Sequence, residues 1–197
     1  MSKNSNYSYD GPFSFAELPG IRYTNERVEL HWLVTGCEKI DFRYMSTGDG
    51  RRDLARCQSG RHLGSLLEVC AAELRIDLKN PPPGSHHIQF TGYPDLVDLR
   101  AAGDQAFSGV YYDDDKTASY QFMASSKDLF STGHFQGLMR RSVPMVREGN
   151  SGDVVALLPS SMENLGIAWI QPLGDSPHIP VILPDGRIRS TSDFPPP

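Results

Sequence analysis

Apolar residues at Leu63, Leu66, Leu67, Cys70, Ala71 and Leu74 recur at steps of three and four, the period of one helix face. Arg75 closes the last turn, Ser59 or Ser65 is placed to cap the start, and Pro81-Pro82-Pro83-Gly84 forbids extension, so the spacing predicts a helix that ends before that run. A second helix is predicted over residues 116–130, where Tyr120, Met123, Ala124 and Phe130 share a face, Asp113 to Asp115 place negative charge at the start and Gly133 provides a stop.

The remaining apolar stretches are short and rich in β-branched residues. They predict strands at residues 28–34, 86–90, 138–143, 154–158, 166–171 and 179–183. Pro184-Asp185-Gly186 reads as the turn of a closing hairpin with Arg187 and Ile188. Helices fall early and well apart, whereas the late strands follow one another through turns alone. This order predicts an α+β fold with a small, mixed and mostly antiparallel sheet and two or three helices, not an alternating βαβ chain. The 18 glycines and 15 prolines fit short elements joined by many turns.

With 197 residues and no long linker or internal repeat, one domain over residues 13–192 is expected. Residues 1–12 are polar and without period, and residues 193–197 end in three prolines, so both are read as flexible tails. A content of 39% hydrophobic residues excludes wholesale disorder. Net charge of −5, with both signs interspersed, argues against a nucleic-acid partner, because such binding relies on clustered positive charge. No apolar run reaches a membrane span and the start has no signal core, so no membrane partner and a cytoplasmic location are expected. Cys37, Cys57 and Cys70 match neither a disulfide framework nor a zinc motif and are read as free thiols.

Phosphate-loop, dinucleotide-fingerprint, zincin and nucleophile-elbow motifs are all missing. His86 and His87 are adjacent on a strand and point to opposite faces, so they are poorly placed to chelate one ion and read as a surface strand start. Asp113-Asp114-Asp115 lacks the spacing of a calcium loop. Cys57 with His62 would suit a thiol nucleophile only if the fold joined them. Glu68 lies between Leu67 and Val69 near the apolar face of the first predicted helix. A carboxylate partly buried there must be paired, for instance with Arg61 or Arg75, or functional.

Leu66-Leu67-Glu68-Val69, followed by Arg75-Ile76-Asp77-Leu78-Lys79-Asn80-Pro81-Pro82, resembles the middle of RES-domain proteins, the toxins of Xre–RES toxin–antitoxin pairs. Asp95-Leu96-Val97-Asp98-Leu99 resembles the family's Asp-Leu strand, and Tyr120-Gln121 the segment before its serine. Gly137-Leu138-Met139-Arg140-Arg141-Ser142-Val143 and the stretch Gly152 to Leu158 resemble its Gly-Leu-x-x-x-Ser-Val strand, turn and apolar strand. The likeness runs from Leu66 to Leu158. The family's Gly-Gly-Arg-Trp-Asn element is absent, with Gly48-Asp49-Gly50-Arg51-Arg52 nearby, and Cys57 stands where a strand tyrosine is expected.

The resemblance implies an ADP-ribosyltransferase-like fold and an NAD-consuming toxin or effector, either NAD glycohydrolase or ADP-ribosyltransferase, with NAD as substrate, no metal and a neutralising antitoxin or immunity protein as partner. It further implies Glu68 as the carboxylate, Ser142 as a hydroxyl to ribose or nicotinamide, Arg43 or Arg22 as the arginine on the pyrophosphate, and Tyr23 or Tyr44 as a stacking ring. A binding module without catalysis (immunity, effector-associated or viral structural protein) is the alternative from a different class. A hydrolase based on Cys57 is a weaker third.

Overall fold

The computed structural model describes residues 22–43, 61–100, 136–157 and 164–197. Its elements are β1 (Arg22–Thr24), β2 (Val28–Val34), β3 (Ile40–Asp41), β4 (Arg61–Gly64), α1 (Leu67–Leu74), β5 (His86–Gly92), β6 (Leu96–Asp98), β7 (Gly137–Arg141), α2 (Val143–Arg147), β8 (Asp153–Leu157), β9 (Leu165–Pro172), β10 (Pro180–Ile182) and β11 (Ile188–Ser190), closed by a 3₁₀ turn at Thr191–Asp193. Eight strands form one sheet in the order β1-β6-β7-β8-β4-β2-β5-β9, and β11-β10-β3 form a second, smaller sheet. In the large sheet every described pair is antiparallel except β6–β7. The fold is therefore mostly sheet with few helices and fits the α+β expectation, with a larger sheet than anticipated.

The two faces of the large sheet bury different partners, as the two-residue alternation of each strand requires. One face carries Leu30, Leu63, Ile88, Phe90, Val155 and Ile170, which pack with Ile40, Phe42 and Val181 of the small sheet into the main core. Phe42 meets Phe90 edge-on at 5.9 Å between centroids, a favoured aromatic geometry. The opposite face carries Leu33 and Val154, covered by Cys70, Ala71 and Val69 of α1 and Met145 of α2.

The first predicted helix exists but begins later and turns a different face inward. Leu63 belongs to β4, and the chain reverses at Gly64, where a Cβ would stand 2.7 Å from the Leu66 carbonyl oxygen and 2.9 Å from Cys70 Sγ. Only glycine lets the strand run this close to the helix that follows it. No side chain caps α1: Ser65 Oγ instead accepts the Asp153 N–H at 3.0 Å. Arg75 ends α1 in the left-handed conformation, φ 57°, with its N–H on the last turn's carbonyls.

β2 has the bounds that alternation predicts, and β10–β11 form the expected hairpin. Phe194 is half-buried against the main core and its carbonyl accepts the Ile170 N–H at 2.8 Å, so the fold extends into the segment read as a C-terminal tail. A capping box between Ser190 and Asp193 fixes the turn before it. The predicted helix at 116–130 lies outside the described residues, as do Tyr44 and Cys57. No helix among the described residues is long and apolar enough to cross a membrane.

Candidate functional site: an arginine-lined cleft

Strand directions bring distant residues to one end of the large sheet. β6 and β7 are parallel and finish at Asp98 and Arg141, while the antiparallel neighbours β1 and β8 begin there at Arg22 and Asp153. The strand ends frame a cleft of about 510 Å³ whose lining includes Arg22, Asp98, Arg100, Arg141 and Asp153, with Asn150 to Gly152 forming the wall beyond α2. Three guanidiniums face two carboxylates, so the lining carries an excess of positive charge.

Arg100 is the fixed member of this set. Its Nε and Nη2 grip the two oxygens of Asp98 at 3.0 and 2.8 Å, and its Nη1 reaches Asp153 Oδ2 at 3.0 Å. Burial opposes ionisation of Asp98, yet the hydrogen bonds and charge of Arg100 outweigh it and hold the carboxyl below its usual range. Those same bonds, chiefly to Asp98, push the Arg100 guanidinium above its usual value. Arg22, on the edge strand, and Arg141 are both exposed at the cleft. Planar forks of this kind match the paired oxygens of phosphates.

Behind the cleft wall, Ser142 is fully buried. Its Oγ donates to Glu73 Oε1 at 2.8 Å, its N–H donates to the Gly152 carbonyl at 2.8 Å, and its own carbonyl accepts the Val146 N–H at the start of α2. Arg140 Nη1 stands 4.0 Å from the same Glu73 oxygen and donates to the Arg141 carbonyl. Ser142 thus fastens α1, α2 and the residue before β8 together, and its hydroxyl is spent on Glu73. The expected contact of that hydroxyl with a ribose or nicotinamide does not fit this arrangement.

The other expected site residues fall apart. Glu68 is exposed on the first turn of α1, not partly buried, and its charge acts on His31. Helix α1 presents Val69, Cys70 and Ala71 to the sheet, which turns Glu68 outward and brings Glu73 to Ser142. Arg43 follows β3 in the small sheet and grips Asp41 through Nε at 3.1 Å and Nη2 at 2.8 Å. Tyr23 is 62% exposed beside Arg22, on the opposite face of β1. Of the expected residues that are described, Arg22 alone lines the cleft. Asp98, Arg141 and Asp153 lie in stretches that carry the resemblance, and Arg100 just after one, but none was given a site role in the sequence; they meet through strand order.

The histidine pair also differs from its surface reading. His86 and His87 do face opposite sides of β5, but both are buried. His86 Nδ1 and Nε2 lie 3.2 and 2.9 Å from the Gly84 and Pro177 carbonyl oxygens. His87 Nε2 lies 2.8 Å from Nδ1 of His31 on β2. Among the described residues, no group of three or more His, Cys, Asp or Glu side chains is arranged to hold a metal ion. Burial raises the thiols of Cys37 and, to about 11, Cys70, which disfavours either as a nucleophile at neutral pH.

No protein-family model matches the sequence, and no curated protein does. Among solved structures, a chain of the crystal structure of the M. tuberculosis MbcT–MbcA toxin–antitoxin complex is similar with a TM-score of 0.48 and 13% identity, over 77% of this chain and 86% of that one. Likeness at that level carries no argument about this chain's activity or partners.

Proposed function

We propose that the protein binds NAD in the arginine-lined cleft and cleaves its nicotinamide–ribose bond, the chemistry implied by the RES resemblance. The observation that carries this reading is the convergence of Arg22, Arg100 and Arg141 at the ends of β1, β6 and β7. In this reading the pyrophosphate lies against Arg22 and Arg141, while Arg100, held by Asp98 and Asp153, keeps the floor rigid. A protein with net charge −5 holds phosphate through local guanidiniums, which suits one dinucleotide better than a polymer.

In the hydrolytic form of the reaction, NAD⁺ and water give ADP-ribose, nicotinamide and a proton. The C–N bond breaks through an oxocarbenium-like state that a fixed carboxylate stabilises. The resemblance gives this role to Glu68, whereas Glu73 is the helix carboxylate joined to Ser142.

The test is nicotinamide release from NAD, read beside NAD-induced thermal stabilisation. Arg22→Ala and Arg141→Ala should each weaken NAD binding by roughly 10-fold or more, the loss expected for a charge-assisted hydrogen bond. Glu68→Gln should abolish release; full release in that variant would remove Glu68 from the mechanism and pass its role to Glu73. Absence of both release and thermal shift would overturn the reading.

A second reading, a non-catalytic binding module, is favoured by the exposure of Glu68 away from Ser142. NAD stabilisation without turnover would select it. In the toxin reading, a neutralising partner is part of the proposal, and expression in bacteria should slow growth unless Glu68 is replaced.

A further inference from the structure

The two carboxylates of the cleft are committed to different degrees. Asp98 spends both oxygens on Arg100: Oδ1 accepts the Nε–H at 3.0 Å and the Arg100 backbone N–H at 2.9 Å, and Oδ2 accepts from Nη2 at 2.8 Å. That fork is complete in itself, so Asp153 is a second carboxylate on one guanidinium. Asp153 gives Arg100 only its Oδ2, 3.0 Å from Nη1, and its Oδ1 has no hydrogen-bond partner among the described residues.

Asp153 is also firmly placed. Its N–H donates to Ser65 Oγ at 3.0 Å and its carbonyl accepts the Ser65 N–H at 2.9 Å, which carries the β4–β8 pairing one residue further. Across the β7–β8 pair it stands opposite Arg141. Directly opposed residues of an antiparallel pair share a face, with Cβ atoms about 4.5–5.5 Å apart. Both residues line the cleft, where the Asp153 side chain keeps 22% of its surface open.

An acceptor oxygen without a donor thus sits beside a guanidinium of the kind that holds phosphate. This pairing matches a phosphorylated sugar, in which the 2′- and 3′-hydroxyls lie one ring away from the phosphate on the 5′ oxygen. An ionised carboxylate only accepts hydrogen bonds, so it takes a hydroxyl and repels an added phosphate. Acidic side chains hold ribose hydroxyls in this way in dinucleotide sites of other folds.

We propose that Asp153 Oδ1 accepts a ribose hydroxyl of the ligand whose pyrophosphate lies on Arg22 and Arg141, so that the cleft selects ribonucleoside diphosphates with a free 2′,3′-diol. The assignment rests on the cleft being the dinucleotide site proposed above. It is a binding role and adds no step to bond cleavage. Arg100 gains a part in it, because tying Oδ2 restricts rotation of the carboxylate that offers Oδ1.

Isothermal titration calorimetry of the full chain at low salt, with pyrophosphate, ADP and 2′,3′-dideoxy-ADP, tests the proposal. Wild type should bind ADP roughly 10-fold or more tighter than the dideoxy analogue, as for loss of a hydrogen bond to a charged group. Asp153→Ala should bring the two to within about 3-fold, well under that loss, and still bind pyrophosphate. If this variant fails to fold, the ¹³C resonance of the wild-type Asp153 carboxylate decides: a shift caused by ADP and not by the dideoxy analogue supports the contact, and no difference overturns it. Pyrophosphate bound, with ADP and its dideoxy analogue equal in wild type, overturns the role of Asp153 and leaves the cleft reading standing. A preference that persists in Asp153→Ala does the same. No binding of either pyrophosphate or ADP overturns both.

Discussion

Ser142→Ala separates a structural serine from one that works on a ligand. The hydroxyl is fully buried and donates to a carboxylate at 2.8 Å, so its removal leaves Glu73 without that donor. Hydrogen bonds to charged groups contribute about 1.5–3 kcal/mol, and the lost oxygen leaves little cavity. For a chain of this size, each kcal/mol shifts the thermal midpoint by roughly 2–4 °C. Ser142→Ala should therefore lower the midpoint by about 4–8 °C for a loss near 2 kcal/mol. The assay is thermal and urea unfolding of wild type, Ser142→Ala, Glu73→Ala and the double variant, with the coupling taken from the cycle. Coupling near 1.5–3 kcal/mol is expected. Stability of Ser142→Ala within about 0.5 kcal/mol of wild type, a change typical of surface sites, would refute the fastening role.

Three further outcomes follow from the geometry. Gly152→Ala would drive its Cβ into the buried, β-branched Val69 side chain; unfolding should show a loss of about 1–3 kcal/mol, as for overpacked cores. Asp98 has a carboxyl held below its unfolded value, so its contribution is present above that value and lost as pH falls through the folded one; Arg100→Gln should move the acid-unfolding midpoint up, seen by circular dichroism below about pH 4. Cys70, buried with its thiol near 11, should resist iodoacetamide at pH 7.5 in the folded protein and react once unfolded, which mass spectrometry of the labelled peptide would record.

Much of the sheet was legible because its longer strands carry their own signal: Val28–Val34 alternates, and β5 carries Ile88, Phe90 and Thr91. β1, β3 and β6 have only two or three residues, too few to establish a period, and are defined by their partners. The helix around Glu68 was read with Leu63 and Leu66 on its inner face. Gly64 instead ends a strand there, leaving Leu66 and Leu74 49% and 41% exposed and rotating Glu73 toward Ser142. The cleft was the least legible part, because Arg22, Asp98, Arg141 and Asp153 become neighbours only through a strand order that skips along the chain.

That strand order also bears on how the protein folds. β1 has no described partner except β6, and the register that seats Arg22 opposite Asp98 joins segments on either side of β2, β4 and β5. Closing such a long loop costs entropy before the pairing returns any of it, so docking of β1 belongs to the late, slow part of folding. Helix α1 and the β2–β5 pair can form without it. The cleft then exists only in the finished molecule: a chain still folding, or nicked between β1 and β6, has Arg22 and the floor of Asp98 and Arg100 on unconnected pieces. Anion binding at this end of the sheet is for that reason a stringent report on complete folding.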